Sequence, residues 1–219
     1  MRLPQSWRTA RVTLVITIVT LIAWLLAEAL GLQLRAASWA GFSPYRFGFD
    51  GYASGAPVWL TPLTATLVHA GLGQAGIFHI GFNLVILIFC GRPVEAVLGP
   101  VALVILYVIG AYCAAAAHFL QDPQSTAPMI GASGAISAVI GAYAMLFGRN
   151  KVKVGNPTLA LWINALWLIA AWVALQLVIG IVLGSGGGAV TVAVWAHIGG
   201  FLAGILLARP LLLFRYRNA

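Results

Sequence analysis

Acidic residues are almost missing from this chain: Glu28, Asp50, Glu95 and Asp122 are the four in 219 residues, against twelve lysines and arginines. Charged residues of both signs make up only 7% of the chain, and hydrophobic ones 62%. A soluble domain carries about 25% charged residues, so a water-facing surface of ordinary extent is excluded. Cysteine is scarce too. Cys90 and Cys113 both lie inside apolar runs, which excludes a disulfide framework or a cysteine metal cluster and leaves them as lipid- or core-facing fillers. Nor is there a basic stripe. The net charge of +8 comes from short clusters between apolar runs, a pattern of membrane orientation signals and not of nucleic-acid contact. Neither a metal nor a cofactor is expected.

What is present is a series of apolar segments. The first, residues 12–31, follows Arg2, Arg8 and Arg11. It is longer than the 7–15-residue core of a signal peptide and predicts a retained membrane anchor. Further spans are expected at about 78–99, 100–120, 132–147, 158–183 and 189–214. The fold expected is thus all-α: a six-transmembrane-helix bundle forming a single polytopic membrane domain over residues 1–219. Residues 32–77 are too polar to span and too aromatic for a plain linker, with Trp39, Phe42, Tyr45, Phe47 and Trp59 beside Arg35 and Arg46. They predict a loop lying in the outer interface. With six spans, ten of the twelve basic residues fall on one side and only Arg35 and Arg46 on the other. That bias predicts cytoplasmic termini and a multi-pass protein of a plasma membrane such as the bacterial inner membrane.

The fourth span is short. Sixteen residues (132–147) cover about 24 Å, against a hydrocarbon thickness of about 30 Å. Held at its inner end by the basic loop of Arg149, Lys151 and Lys153, it would leave Ser133 submerged. Taken alone, the stretch GASGAISAVIGAY (131–143) also fits a small-residue packing face. Other polar groups change that weighting. His79 and Asn83 stand one turn apart on the second span, and His197 lies inside the sixth. Counted from residue 189, His197 is about 12 Å along its helix, so four polar groups are expected at one level. Ser133, Ser137 and Gly141 form one small stripe, and His197, Gly200 and Gly204 another; such faces let two helices close.

A serine beside a histidine is the minimal unit of nucleophilic acyl transfer. No carboxylate is placed to be a third member; Glu28 and Asp122 come closest by topology. A dyad is therefore expected, with His79, the Asn83 amide and the Ser133 backbone N–H as oxyanion donors. Ser137, one turn deeper, is expected to bond the carbonyl of the preceding turn and to act as a spacer. His69 is expected as a loop cap and His118 as an interface residue. Glu28 should sit at the outer interface or be paired, and the fifth-span tryptophans should pack or form a belt.

GASG (131–134), AHIGGFLAG (196–204), and HIGFN followed by CGRPVEAVLG (within 79–99) together resemble the rhomboid family of intramembrane serine proteases. The similarity covers about residues 57–208. It implies that Ser133 is the nucleophile and His197 the general base, with His79, Asn83 and Gly131 lining the oxyanion and substrate site. It also implies a structural Glu95, a first loop partly embedded in the outer leaflet, and transmembrane protein substrates with small or helix-destabilising residues. Three features depart from many members. Ser137 stands where they carry an aromatic, Trp59-Leu60 replaces Trp-Arg, and the stretch between His69 and His79 is longer. Ala135 also separates GASGA from the GxSxG elbow of soluble hydrolases. Two other classes stay open: a catalytically silent relative that binds and escorts membrane segments, and a small-solute transporter. The second would carry an inverted repeat, which this sequence does not display.

Overall fold

The computed structural model describes residues 10–48, 55–72, 74–148, 156–184 and 193–217. Regular structure among them is helical, apart from an isolated antiparallel bridge between Phe42 and Met129. In order come α1 (Arg11–Ala29), α2 (Gln33–Ala40), α3 (Pro44–Gly48) and α4 (Thr61–Thr64), the last between single 3₁₀ turns at Val58–Leu60 and Ala65–Leu67. Then follow α5 (Gln74–Ile86), a π turn at Leu87–Gly91, α6 (Arg92–Leu98), α7 (Pro100–Gln121), α8 (Ser133–Phe147), α9 (Pro157–Gly184) and α10 (Val194–Arg215).

Four helical stretches among the described residues are long and apolar enough to cross a membrane: Arg11–Ala29, Gly76–Leu98, Pro100–Gln121 and Val194–Arg215. α8 and the Trp162–Ala174 part of α9 are shorter apolar stretches. The expected segments thus all appear as helices, but one boundary differs. The last helix begins at Val194, not at 189, and Ala193 before it has non-helical dihedrals (φ −74°, ψ 68°). His197 therefore lies in the first turn of α10, about 4.5 Å along it and not about 12 Å.

α8 is the centre of the bundle. Gly134 through Val139, Gly141 and Ala142 are all buried, between α7 on one side and α10 on the other. The two small stripes meet as their composition predicts. A Cβ at Gly200 would strike the Gly134 carbonyl oxygen, one at Gly204 the Ala138 carbonyl, and one at Gly141 the Phe201 carbonyl. Only residues without side chains allow backbones to approach this closely, and in hydrocarbon such packing drives association.

One end of the bundle is fastened by Glu95, which is only 2% exposed. Its carboxylate accepts the backbone N–H groups of Val12 (2.9 Å) and Thr13 (2.8 Å) and the Thr13 hydroxyl (2.7 Å). The first N–H groups of a helix have no acceptor within it, so a carboxylate from α6 caps α1. The Arg215 Nη1 donates to the Glu95 carbonyl at 3.5 Å and the Tyr216 hydroxyl to the Val97 carbonyl at 3.3 Å. The start of α1 and the end of α10 thus share one end of the bundle. Glu95→Ala would leave these donors unpartnered. We expect it to lower stability by about 3 kcal/mol, since bonds to a charged acceptor contribute about 1.5–3 kcal/mol each. Glu95→Gln, which keeps an acceptor oxygen, should lose less; thermal denaturation in detergent checks the order.

The segment between α1 and α5 is anchored by its aromatics. Phe42 is 2% exposed, and its ring centroid lies 5.8 Å from that of Phe47, which meets Phe119 of α7 edge-on at 5.8 Å. Trp39, Phe47 and Trp59 remain substantially exposed.

Candidate active site

Ser133 is the first residue of α8, and the chain reaches it through Gly131, whose φ of +108° suits only glycine. The Gly131 N–H donates to the Ala65 carbonyl at 2.9 Å, tying this turn to the 3₁₀ turn after α4. Across the tight α8–α10 contact, the His197 Nε2 lies 2.7 Å from the Ser133 Oγ. With the imidazole proton on Nδ1, that distance is a hydroxyl donating to the ring nitrogen that would take its proton. The helix start adds further chemistry, because the backbone N–H groups of the first turn lack intrahelical acceptors and face developing negative charge favourably. The dyad residues are partly buried.

His79 occupies the opposite wall. The position a Cβ would take at Gly131 lies 2.6 Å from the His79 Nε2 and 3.8 Å from the Ser133 Oγ. The imidazole of α5 thus packs directly on the Gly131 backbone beside the serine, and any side chain at 131 would strike it. Asn83 is buried one turn further along α5, and its Nδ2 donates to the His79 carbonyl at 2.7 Å. That bond fixes the amide beside His79, while the Asn83 Oδ1 is buried without a hydrogen-bond partner among the described residues.

Ser137 is 2% exposed, and its hydroxyl donates to the Ser133 carbonyl at 2.8 Å. The backward bond to the preceding turn is therefore the one formed. Trp172 of α9 stacks on Phe201 of α10, with centroids 4.9 Å apart and planes at 12°, and its Nε1 donates to the His197 carbonyl at 3.4 Å. His118 lies near the end of α7, its Nδ1 buried without a hydrogen-bond partner among the described residues.

His69 has the capping role expected of it, but its place beside the site was not foreseen: it is 3% exposed and packs its ring 5.0 Å from that of His79. Its Nε2 accepts the Ala132 N–H at 3.3 Å, immediately before the serine. Burial, and then the neighbouring charge of His79, lower its pKa from 6.5 to about 3. The neutral ring thus keeps its acceptor at physiological pH. Because the folded pKa lies below the unfolded one, the unfolded chain binds the extra proton between pH 6.5 and about 3. This contribution to stability is whole above pH 6.5 and falls on acidification, by at most about 1.4 kcal/mol per pH unit. Denaturation midpoints of the wild type should therefore drop more between pH 7.5 and 5 than those of His69→Gln.

A family model for the rhomboid domain matches residues 56–214. The chain is 36% identical over 70 residues to Rhomboid-related protein 3 of Homo sapiens, covering 32% of this chain and 17% of that protein. It is 31% identical over 134 residues to RHOMBOID-like protein 1 of Arabidopsis thaliana, covering 61% of this chain and 31% of that protein. The matches thus span less than a third of either relative. α1 lies wholly before the matched domain.

Proposed function

The chain belongs to the rhomboid family, and from that premise we propose that it is an intramembrane serine endopeptidase. The observation that carries the proposal is the 2.7 Å approach of the His197 Nε2 to the Ser133 Oγ at the head of a buried helix. In the proposed reaction the Ser133 hydroxyl gives its proton to His197 as its oxygen attacks the scissile carbonyl carbon. The carbonyl oxygen becomes an oxyanion, stabilised by the Ser133 N–H and His79, with Asn83 supporting His79 through its carbonyl. Protonated His197 then donates to the leaving amine, the C–N bond breaks, and an acyl-serine remains. Water, deprotonated by His197, hydrolyses that ester and restores the dyad.

The proposed substrates are transmembrane segments of other proteins. A peptide bond inside a stable helix is protected by backbone hydrogen bonds, so segments with small or helix-destabilising residues are favoured. α8 and α9 complete six spans in this proposal, with both termini cytoplasmic, the site open to the outer side and the segment after α1 in the outer interface. The basic residues Arg149, Lys151 and Lys153 lie outside the described residues, as do residues 185–192. Single cysteines at 152 and 186, in a background lacking Cys90 and Cys113, should label from opposite sides of sealed vesicles. Labelling of both from one side would contradict six spans. The activity is tested by reconstituting the protein with a single-span test substrate. The expected result is a cut within or beside the span, insensitive to chelators; an intact substrate would contradict the proposal.

A further inference from the structure

The stretch between His69 and His79 carries glycines at 71, 73 and 76, and free glycines have the most conformational freedom to lose. α1 holds it. Trp24 is largely buried, and its Nε1 donates to the Ala70 carbonyl at 2.9 Å. One turn on, the Glu28 Oε1 accepts the Leu72 N–H at 2.6 Å. Gly76 lies so close to Gly71 that a Cβ there would strike the Gly71 carbonyl oxygen. Two side chains of the first helix thus clip Ala70–Leu72 at both ends.

The clipped residue Ala70 also bonds within the site. Its N–H donates to the His79 Nδ1 at 3.5 Å. A neutral imidazole that accepts at Nδ1 carries its proton on Nε2, and Nε2 is the atom that faces Gly131, two residues before Ser133. Were the ring to flip tautomer, Nε2 would present a lone pair to an oxyanion and repel it. We propose that Trp24 and Glu28 are positioning residues: by holding Ala70 and Leu72 they keep the Ala70 N–H on His79, so that His79 presents Nε2–H as an oxyanion donor. The first helix, outside the matched domain, is on this account a working part of the site. The proposal rests on the protease reading, since it assigns how one of that reaction's donors is set.

The test uses the full chain in proteoliposomes with the single-span substrate. Trp24→Phe keeps the ring packing and removes the donor. It should lower kcat about tenfold, a fraction of the 100- to 1,000-fold that deleting an oxyanion donor costs, with KM within about twofold. In a His79→Ala background the same substitution should cost nothing further, because it acts only through that ring. The ¹⁵N chemical shifts of His79, assigned by difference from His79→Ala, should show Nε2–H in the wild type and a mixture of tautomers in Trp24→Phe. Glu28→Gln, which retains an acceptor for the Leu72 N–H, should keep more turnover than Glu28→Leu. An unchanged kcat in Trp24→Phe, an equal loss in both backgrounds, or an unchanged His79 tautomer would overturn the proposal. If the wild type and Ser133→Ala treat the substrate alike, it is the protease reading that has failed, and this proposal falls with it.

Discussion

Ser133→Ala and His197→Ala are each expected to reduce cleavage of a transmembrane substrate to background, and the double variant should be no worse than either. In the proposed reaction the two residues act as a unit. Without the hydroxyl there is no nucleophile, and without the imidazole the hydroxyl keeps its proton. In a soluble serine protease, loss of either costs about a million-fold in kcat, with little further loss on combining them. On the proposed function, the 2.7 Å contact predicts the same dependence for this chain's pair. Both variants should stay folded, because α8 and α10 are held by backbone approach at Gly134, Gly200 and Gly204, not by the dyad. Turnover and thermal denaturation measured side by side check this. Near-normal turnover in either variant would remove the dyad.

Ser137→Leu should abolish turnover and lower stability, whereas Ser137→Ala should keep most of both. A Cβ built on Gly200 would lie 3.2 Å from the Ser137 Cβ, so the helices are already near contact at this level. Leucine's added atoms have nowhere to go unless α8 and α10 part; overpacking alone costs about 1–3 kcal/mol. Separation would also lengthen the Ser133–His197 contact one turn away. Alanine loses only the hydroxyl's bond to the Ser133 carbonyl, an acceptor already engaged in the helix ladder. If Ser137→Ala lost activity at unchanged stability, the serine would be an orienter of the catalytic groups and not a spacer.

The approach of Ser133 to His197 was legible because its signals are local. A short span beginning with serine and two stripes of small residues state which helix faces can meet, and Gly200 and Gly204 meet α8 where the pattern put them. Apolar length likewise gave each helix to within a few residues. The start of α10 at Val194 was not legible, because hydropathy does not mark the break that the non-helical dihedrals of Ala193 make. His69 was not legible as a site residue. Nothing near it in sequence records that its ring would reach the Ala132 N–H, 63 positions away. The same holds for Trp24, whose partner Ala70 is 46 positions distant. A lone indole in an apolar helix carries no sign of which carbonyl it will find.

Covalent labelling of the purified protein with a serine-directed fluorophosphonate tests the central claim most directly. An activated Ser133 Oγ attacks phosphorus, fluoride leaves, and the proton passes to His197, leaving a stable phosphonyl ester. The account predicts a single adduct mapped to Ser133, absent in Ser133→Ala and formed far more slowly in His197→Ala. No adduct on the wild type, or labelling of Ser133 at an unchanged rate without His197, would contradict it.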